Sequence, residues 1–483
     1  MRNFLLRIVF CLSIFWSVSL YAENPFSAVV KINAVYCSPN FSRPWVKNSQ
    51  YNGSGSGVVI RGNKILTNAH NVTYATYITV LKENDGTPVT AKVEAVDHQC
   101  DLALLSVDDE SFFSDITPME FGETPAVRTQ VLAVGYPMGG DGLSVTQGII
   151  SRIELMRYSH SATDSFLAAQ LDAALNPGNS GGPIIYDGKI VGIAFQIRKN
   201  GNSIGYMIHS EIIEHFLKDL QDGKVDGFGI LQAKMLGLEN PDTRKFLKMK
   251  DGQSGVLVCE VAKIPGVDCP IKEGDVILSV DGYNVMNNGN IRTKENTNRF
   301  FTTLIHAKQM GESVDMKILR GGEELNISFA PQKHCDRLEP MLYDVEPSMF
   351  MIGGFVFTKL SLSFLDEWGD NIPPAELSEE MGKDRASHDS ELVVLSETLG
   401  DEVNMGYQFF NSMILESVNG KKIKNLKDLA ETLDALNEGF VTFKFKNNLC
   451  ATLDVKKMKA ARDRIMKNYG MSSDRSADLA AAN

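Results

Sequence analysis

The sequence predicts a mainly β protein, with one larger all-β region followed by two smaller modules that combine strands and helices. Short apolar runs separated by turn residues fill residues 28 to 223, a pattern typical of a β barrel or sandwich. One amphipathic helix, HSEIIEHFLKDLQDG, closes this region. A second pattern then occurs twice, at about 230–332 and 340–456: strands, a helical stretch and a terminal strand pair. The repetition predicts two copies of one α+β module.

The N-terminus, MRNFLLRIVFCLSIFWSVSLYAEN, has the layout of a secretory signal peptide covering residues 1–22. Arg2 and Arg7 form a basic start, an apolar run follows, and Ala22 offers a small residue for cleavage. A membrane anchor is the alternative, although the apolar run is short for a spanning helix. No later segment approaches 18 apolar residues. We therefore expect an exported protein, periplasmic if bacterial, with no integral membrane span in the mature chain.

Length, charge and cysteine spacing limit the remaining possibilities. A chain of 483 residues is expected to fold as two to four domains. Its net charge of −12 argues against nucleic acid as a partner. Six cysteines remain after signal cleavage, and their spacing matches no metal site, so we expect no metal and no cofactor. Export permits disulfides such as Cys259–Cys269 or Cys37–Cys100, and free thiols are the open alternative.

The segment NPGNSGGP, residues 176–183, places Ser180 among small residues. A serine nucleophile needs a base, a group that orients the base, and donors for an oxyanion. His70 in KILTNAHNV lies where a predicted strand ends and is the favoured base, with His98 and His209 as weaker rivals. Asp101 immediately precedes the apolar run LALLSV and is the favoured orienting acid; Asp97 is the second choice.

The glycines around Ser180 indicate how an oxyanion would be held. Gly178, Asn179 and Ser180 are predicted to form an oxyanion hole, with the N–H groups of Gly178 and Ser180 as donors. Gly181 and Gly182 remove side chains that would block a substrate. The order His70, Asp101, Ser180 is one of several in which such triads occur.

The motifs TNAH, DLALL and NPGNSGGP together resemble the HtrA/Deg family of trypsin-like serine proteases, over most of residues 50–220. The resemblance implies a chymotrypsin-like double β-barrel with His70 as general base, Asp101 as its orienting acid and Ser180 as nucleophile. Two positions depart from the family pattern, Asn71 after TNAH and Leu171 before the NPGNSGGP loop. Neither departure is expected to touch the triad.

The segment IKEGDVILSVDG, residues 271–282, resembles the core of a PDZ domain. In that family a loop such as Gly227, Phe228, Gly229 and Ile230 receives the C-terminal carboxylate of a peptide. The second copy is similar to a divergent PDZ domain whose SMILESVNG lacks the Gly-Asp pair, so peptide binding and a structural or oligomer-forming role both remain open. Its C-terminal pattern resembles plant-type Deg proteases and bacterial relatives. The predicted domains are 1–22, 23–224, 225–335, 336–460 and a tail at 461–483.

In the fold that the resemblance implies, the primary substrate pocket is walled by the segment before Ser180 and by two further stretches. These two stretches are Ile193, Ala194, Phe195 and Gln196, and Ile204, Gly205 and Tyr206. Neither contains an acid, which favours a small or medium aliphatic substrate residue over a basic one. The resemblance implies an ATP-independent endopeptidase acting on unfolded or damaged proteins, as a homotrimer or multiple of trimers. It also implies an activatable loop between about 156 and 166. A chaperone or peptide-binding scaffold with little proteolysis is the alternative.

Overall fold

The computed structural model describes residues 26–83, 85–197, 204–294, 297–333, 335, 338–383 and 391–480. The predicted signal peptide lies outside the described residues. The predicted fold class is confirmed, because two closed six-stranded barrels are followed by two smaller, mainly antiparallel sheets. We call these parts the barrel unit (residues 26–222), the second unit (230–333) and the third unit (338–480).

In the barrel unit, each barrel buries one face of each strand around an aliphatic core, as in β1, where buried and half-buried residues alternate. The first barrel has the order β1-β2-β3-β6-β5-β4 and the second has the order β10-β11-β12-β9-β8-β7. The elements are β1 Val29–Tyr36, β2 Tyr51–Ile60, β3 Lys64–Thr67, β4 Ala75–Leu81, β5 Val89–Asp97, β6 Leu102–Val107, β7 Gln130–Gly135, β8 Ser144–Arg157, β9 Ser165–Leu171, β10 Pro183–Tyr186, β11 Lys189–Ile197, β12 Gly205–His209 and helix α1 Ser210–Asp219.

The second unit has the sheet order β13-β14-β15-β19-β20, with β16 paired to β15 and a separate β17–β18 hairpin. The second helix of this unit begins at Thr302, just after strand β18. The elements are β13 Ala233–Gly237, α2 Pro241–Phe246, β14 Val256–Val261, β15 Val276–Val280, β16 Tyr283–Asn284, β17 Asn290–Arg292, β18 Asn298–Phe300, α3 Thr302–His306, β19 Val314–Arg320 and β20 Glu323–Phe329.

The third unit repeats this plan, since β23, β24, α6, β26 and β27 follow one another as β14, β15, α3, β19 and β20 do. Its sheet order is β21-β22-β23-β24-β26-β27, with β25 paired to β24. The elements are β21 Met349–Ile352, β22 Phe355–Lys359, α4 Leu362–Asp366, α5 Ala375–Ser378, β23 Val393–Thr398, β24 Met413–Val418, β25 Lys421–Lys422, α6 Leu426–Asp434, β26 Phe440–Phe445, β27 Cys450–Asp454, α7 Val455–Ala460 and α8 Arg462–Asn468.

The boundary predicted at residue 460 falls inside the packed third unit. Helix α8 buries Ile465, and Met471 after it is also buried. Phe350 of β21 forms an antiparallel bridge with Arg475. The residues beyond 460, predicted to be a tail, are therefore held by the same core as the sheet, as far as residue 480.

The two smaller units both contact the barrels. Arg299 Nη1 donates to both carboxylate oxygens of Glu211 in α1, at 2.8 and 2.9 Å. Phe228, just before the second unit, is fully buried in the core of the barrel unit. Glu367 of the third unit accepts a hydrogen bond from the Phe41 N–H at 2.7 Å. Both smaller units are thus joined to the barrel unit by hydrogen bonds or buried contacts.

The described residues also show the state of the cysteines and whether any helix could span a membrane. All six cysteines there are free thiols, so neither Cys259–Cys269 nor Cys37–Cys100 is a disulfide. Across the described part of the chain, no helix is long and apolar enough to span a bilayer.

Candidate functional site

His70 and Asp101 meet at one end of the first barrel. His70 lies in a single 3-10 turn, Ala69–Asn71, directly after β3, and Asp101 directly precedes β6. The two strands are paired, which places both residues at the same end of the sheet. His70 Nδ1 lies 2.8 Å from Asp101 Oδ2, and the His70 backbone N–H donates to Asp101 Oδ1 at 2.9 Å. Asp101 therefore fixes both the position of the turn and the orientation of the ring.

The electrostatics of this pair favour a base oriented by a carboxylate. Burial alone would lower the pKa of His70, but the charge of Asp101 and its hydrogen bond outweigh it, so the pKa lies above 6.5. Burial opposes ionisation of Asp101, yet the charge of His70 and the hydrogen bonds from His70 hold its pKa below the usual range. Asp101 is 1% exposed, whereas a third of the His70 side chain is open to solvent. The carboxylate is shielded and the imidazole is accessible.

Ser180 lies in the loop between β9 and β10, which rests against the first barrel. The backbone N–H of Ser56 donates to the Ser180 carbonyl at 2.8 Å, and Ser56 Oγ donates to the Gly178 carbonyl at 2.7 Å. Gly178 and Gly181 have φ of +101° and +84°. A Cβ at Gly181 would lie 2.0 Å from the Ser56 carbonyl oxygen. Only glycine permits this backbone so close to the first barrel.

Asn71 joins this loop to the histidine turn. Its Nδ2 donates to the Ser180 carbonyl at 2.9 Å and to Thr67 Oγ1 at 3.0 Å. Asn71 was expected not to touch the triad, and that expectation is wrong. An aliphatic side chain at this position cannot donate, so the amide is what links the Ser180 loop to the turn that carries His70.

The two backbone donors predicted for the oxyanion hole are free within the described residues, where neither the Gly178 N–H nor the Ser180 N–H makes a hydrogen bond. The Asn179 N–H, in contrast, donates to the Asn176 carbonyl at 3.0 Å. Ser180 Oγ donates to the Phe195 carbonyl at 3.4 Å, and in the described chain no hydrogen bond joins it to His70. The hydroxyl is thus directed away from the imidazole in this conformation.

A second group of aromatic and acidic side chains stands beside His70. The rings of His70 and His160 are 6.2 Å apart, and His98 Nδ1 lies 3.0 Å from His160 Nε2. Tyr343 of the third unit stacks on both His98 and His160, with ring centroids 4.3 Å apart in each pair. Asp344 Oδ2 lies 3.3 Å from His98 Nε2. We call these four residues, His98, His160, Tyr343 and Asp344, the histidine clasp.

The hydrogen bonding of the clasp indicates its tautomers. If His98 Nε2–H donates to Asp344, His98 Nδ1 is the acceptor for His160 Nε2–H. Burial lowers the pKa of His160 to about 4, so this ring is neutral at ordinary pH. In the sequence, His98 was a weaker rival of His70 as the base, and nothing marked His160 or Tyr343. The other candidates lie apart from this pairing: His209 caps α1, and Asp97 accepts from the Gln99 N–H.

The residues predicted to wall the primary pocket are mostly buried in the second barrel. Ile193, Ala194, Phe195, Gly205 and Tyr206 are all buried, Ile204 is half-buried, and the side chain of Gln196 lies outside the described residues. The Phe195 ring packs 4.5 Å from that of Tyr158. The assignment of this pocket stays a prediction.

The loop predicted to bind a peptide carboxylate, residues 227–230, has most of its donors committed. The Gly227 N–H donates to Asp219 at 2.9 Å, the Phe228 N–H to Gln99 at 2.9 Å, and the Ile230 N–H to the Gln332 carbonyl at 2.9 Å. A carboxylate needs several free N–H groups in one place. Capture of a peptide end at this loop therefore requires these three hydrogen bonds to be exchanged.

Comparisons with known proteins agree with this architecture. Residues 55–193 match the trypsin-like peptidase domain, and residues 236–330 and 339–478 each match a PDZ domain. Protease Do-like 2, chloroplastic, of Arabidopsis thaliana is 37% identical over 461 residues, covering 94% of this chain and 75% of that protein. Protease Do-like 4, mitochondrial, of the same plant is 34% identical over 451 residues, covering 92% and 84%.

A solved structure of an HtrA-type protease AlgW variant with a decapeptide shares the fold, with a TM-score of 0.50 at 22% identity. It covers 66% of this chain and 96% of that one. The identity to the Do-like proteases extends through the barrels and both smaller units. The chain is therefore a serine endopeptidase of the HtrA/Do-like family, with a trypsin-like peptidase domain followed by two PDZ domains.

Proposed function

We propose that this protein is an exported, ATP-independent endopeptidase that degrades unfolded or damaged proteins with Ser180, His70 and Asp101 as its triad. One observation carries the assignment of the triad. The hydrogen-bonded pair of His70 and Asp101 is tied through Asn71 to a loop whose Gly178 and Ser180 N–H groups make no hydrogen bond to any described residue. These are the base, its orienting acid, and the donors that acyl transfer from a serine requires.

In this mechanism Ser180 first exchanges its hydrogen bond to the Phe195 carbonyl for one to His70. Asp101 holds the proton of His70 on Nδ1, so Nε2 is the nitrogen that accepts the Ser180 proton. The attacked carbonyl oxygen becomes negative and accepts hydrogen bonds from the Gly178 and Ser180 N–H groups. His70 then returns the proton to the leaving amine, and water repeats the sequence to release the acyl group.

Edge strand β13 supports peptide binding by the first PDZ domain. It pairs only with β14, so one of its edges is unpaired in the described sheet. Between β13 and α3 lies a cavity of about 470 Å³ lined by Met235, Phe300 and His306. A substrate tail can add there as a further strand, with its side chains in the cavity. Thr163 and Asp164, from the loop beside the clasp, line the same cavity, which favours control of the active site by bound peptide.

Other parts of the proposal concern specificity, location and assembly. The apolar character of Ile193, Ala194 and Phe195 supports a small or medium aliphatic residue at the cleavage site. The chloroplastic and mitochondrial names of the plant relatives make import into an organelle the alternative to a periplasmic destination.

Assembly as a homotrimer or a multiple of trimers is expected from the family. Light scattering on the purified chain tests it, and any mass that is not a multiple of three chains contradicts it.

The triad is tested by comparing the parent chain with Ser180→Ala and with Ser114→Ala, which changes an exposed serine. Without ATP, we expect the parent and the Ser114 variant to digest casein and to react with a fluorophosphonate, and the Ser180 variant to do neither. Digestion by Ser180→Ala at the parent rate would overturn the mechanism. A parent chain that suppresses aggregation of unfolded proteins but does not cleave casein would favour the chaperone alternative.

A further inference from the structure

A cavity of about 290 Å³ lies where the barrel unit meets the segment that leads into the third unit. The barrel unit contributes Asp97, His98, Ser161 and Asp164 to its lining, and the third unit contributes Tyr343. Its volume is near the lower end of the range for small-ligand sites, about 300–1,000 Å³. The cavity therefore has room for one side chain or a group of similar size.

Two buried polar atoms of the lining have no partner within the described residues. Asp97 Oδ2 and Ser161 Oγ make no hydrogen bond there, although each residue is only 5% exposed. Asp97 Oδ1 is satisfied by the Gln99 N–H at 2.8 Å, so only the second oxygen is left over. Gly227, which also lines the cavity, lies beside this second oxygen. A buried acceptor without a donor is costly, so a donor group placed in this cavity would stabilise it.

The charge of the lining favours a cationic ligand. Asp97, Asp164 and Asp226 face one basic residue, Lys333, which is exposed. Burial raises the pKa of Asp97, and a cation that enters the cavity would favour the ionised carboxylate again. In the described chain no three His, Cys, Asp or Glu side chains are arranged to hold a metal ion. An ammonium or guanidinium group, which donates several hydrogen bonds, suits these acceptors better.

The cavity lies close to the proposed catalytic centre. His98 lines it, the His98 ring is 5.3 Å from that of His160, and His160 is 6.2 Å from His70. An extended peptide advances about 3.3 Å per residue. Three or four residues of an extended peptide therefore span the distance from His70 to His98, which lines the cavity.

We propose that this cavity is a substrate subsite for a lysine or arginine about three or four residues from the scissile bond, with Asp97 and Ser161 accepting hydrogen bonds from its charged group. The inference rests on the proposed function, because Ser180 and His70 define where the scissile bond lies. The subsite is separate from the stretches 193–196 and 204–206 of the primary pocket, which contain no acid. It would direct cleavage to apolar sites that have a basic residue nearby.

Binding to protein that carries Ser180→Ala tests the subsite without cleavage. Cleavage sites of the parent chain in casein, mapped by mass spectrometry, provide fluorescent peptides in which one lysine is moved through the flanking positions. Each peptide is compared with its acetyl-lysine counterpart, which keeps the length and removes the charge. At one or two neighbouring positions we expect the lysine peptide to bind about tenfold more tightly, the effect of one charge-assisted hydrogen bond.

Asp97→Asn in the same background keeps an acceptor for the Gln99 N–H and is expected to abolish the preference. Ser161→Ala is expected to reduce it, and Asp251→Asn, which changes an exposed turn residue of the second unit, to leave it intact. Melting curves establish that each variant is folded. Equal binding of lysine and acetyl-lysine peptides at every position, or a preference that survives Asp97→Asn in the folded protein, would overturn the proposal.

Two further outcomes separate the possible failures. A rise in melting temperature with n-butylammonium, without any lysine preference among the peptides, would assign the cavity to a free amine and overturn the substrate subsite. If the Ser180→Ala protein shows no lysine preference and casein digestion by the parent chain still depends on Ser180, the subsite alone is rejected. Digestion that does not depend on Ser180 rejects the proposed function instead.

Discussion

Replacing Asp101 by Asn tests the central pair of the site with little change in shape. The asparagine oxygen can still accept from the His70 backbone N–H, which Asp101 Oδ1 does at 2.9 Å. Its NH₂ group then faces His70 Nδ1, where the carboxylate accepted at 2.8 Å. The imidazole is therefore forced to hold its proton on Nε2, the nitrogen that must accept the proton of Ser180. The φ of 57° at position 101 is tolerated by Asn nearly as well as by Asp.

We expect this variant to fold and to lose about 10⁴-fold in kcat, equivalent to about 5.5 kcal/mol of transition-state stabilisation. The assay is turnover of a fluorogenic peptide chosen from mapped casein cleavage sites, with unfolding followed in urea. Asp109→Asn is a matched control, since Asp109 also accepts a backbone N–H, that of Ser111 at 3.0 Å, but is exposed. A folded Asp101→Asn variant that keeps more than about a tenth of the parent kcat would refute the reasoning.

Four further predictions concern pH, the loop, the second unit and the clasp. On the acid side of its pH profile, kcat/KM is expected to have a midpoint above pH 6.5, because the charge of Asp101 raises the pKa of His70. In Asp101→Asn only burial acts on that pKa, so the midpoint is expected to move below pH 6.5. A midpoint that does not move contradicts this prediction. Gly181→Ala is expected to abolish fluorophosphonate labelling because its Cβ would lie 2.0 Å from a carbonyl oxygen, and labelling at the parent rate argues against it. Asp275→Asn removes the buried carboxylate to which Arg320 donates twice at 2.7 Å. We expect the free energy of unfolding of the second unit, measured in urea, to fall by about 2–3 kcal/mol. An unchanged urea midpoint would be inconsistent with a stabilising role of this ion pair. Tyr343→Ala removes the ring that stacks on His98 and His160. We expect faster backbone hydrogen exchange at residues 340–344, measured by mass spectrometry. Unaltered exchange would mean that the stacking does not hold this segment in place.

The fold was predictable from the sequence because its signals are local. Apolar runs of four to eight residues with turn residues between them are visible in any short window, and they correspond to the strands of the barrels. The repeated order of strands and helix was visible for the same reason. The boundary at residue 460 was misplaced since α8 is basic and polar on its exposed side, while the burial of Ile465 depends on a sheet that lies elsewhere in the chain.

In the candidate site, too, the features with a local sequence signal were predicted and the features that depend on packing were not. The residue types and order of His70, Asp101 and Ser180 indicated a triad, and the structure brings the first two into contact. The bond from Ser180 Oγ to the Phe195 carbonyl could not be foreseen, because a rotamer depends on the packed surroundings. The clasp was equally hidden, since His160 and Tyr343 are 183 positions apart and neither belongs to a motif.

The position of Tyr343 affects how this protein should be shortened for study. A truncation after residue 335 appears natural from the sequence, since it keeps the peptidase and one PDZ domain intact. That cut would strip the aromatic cover from His98 and His160 and give water access to the flank of His70. Rates measured on such a fragment would describe a different catalytic environment. A shortened form that keeps the native surroundings of His70 must therefore include the segment of the third unit that carries Tyr343.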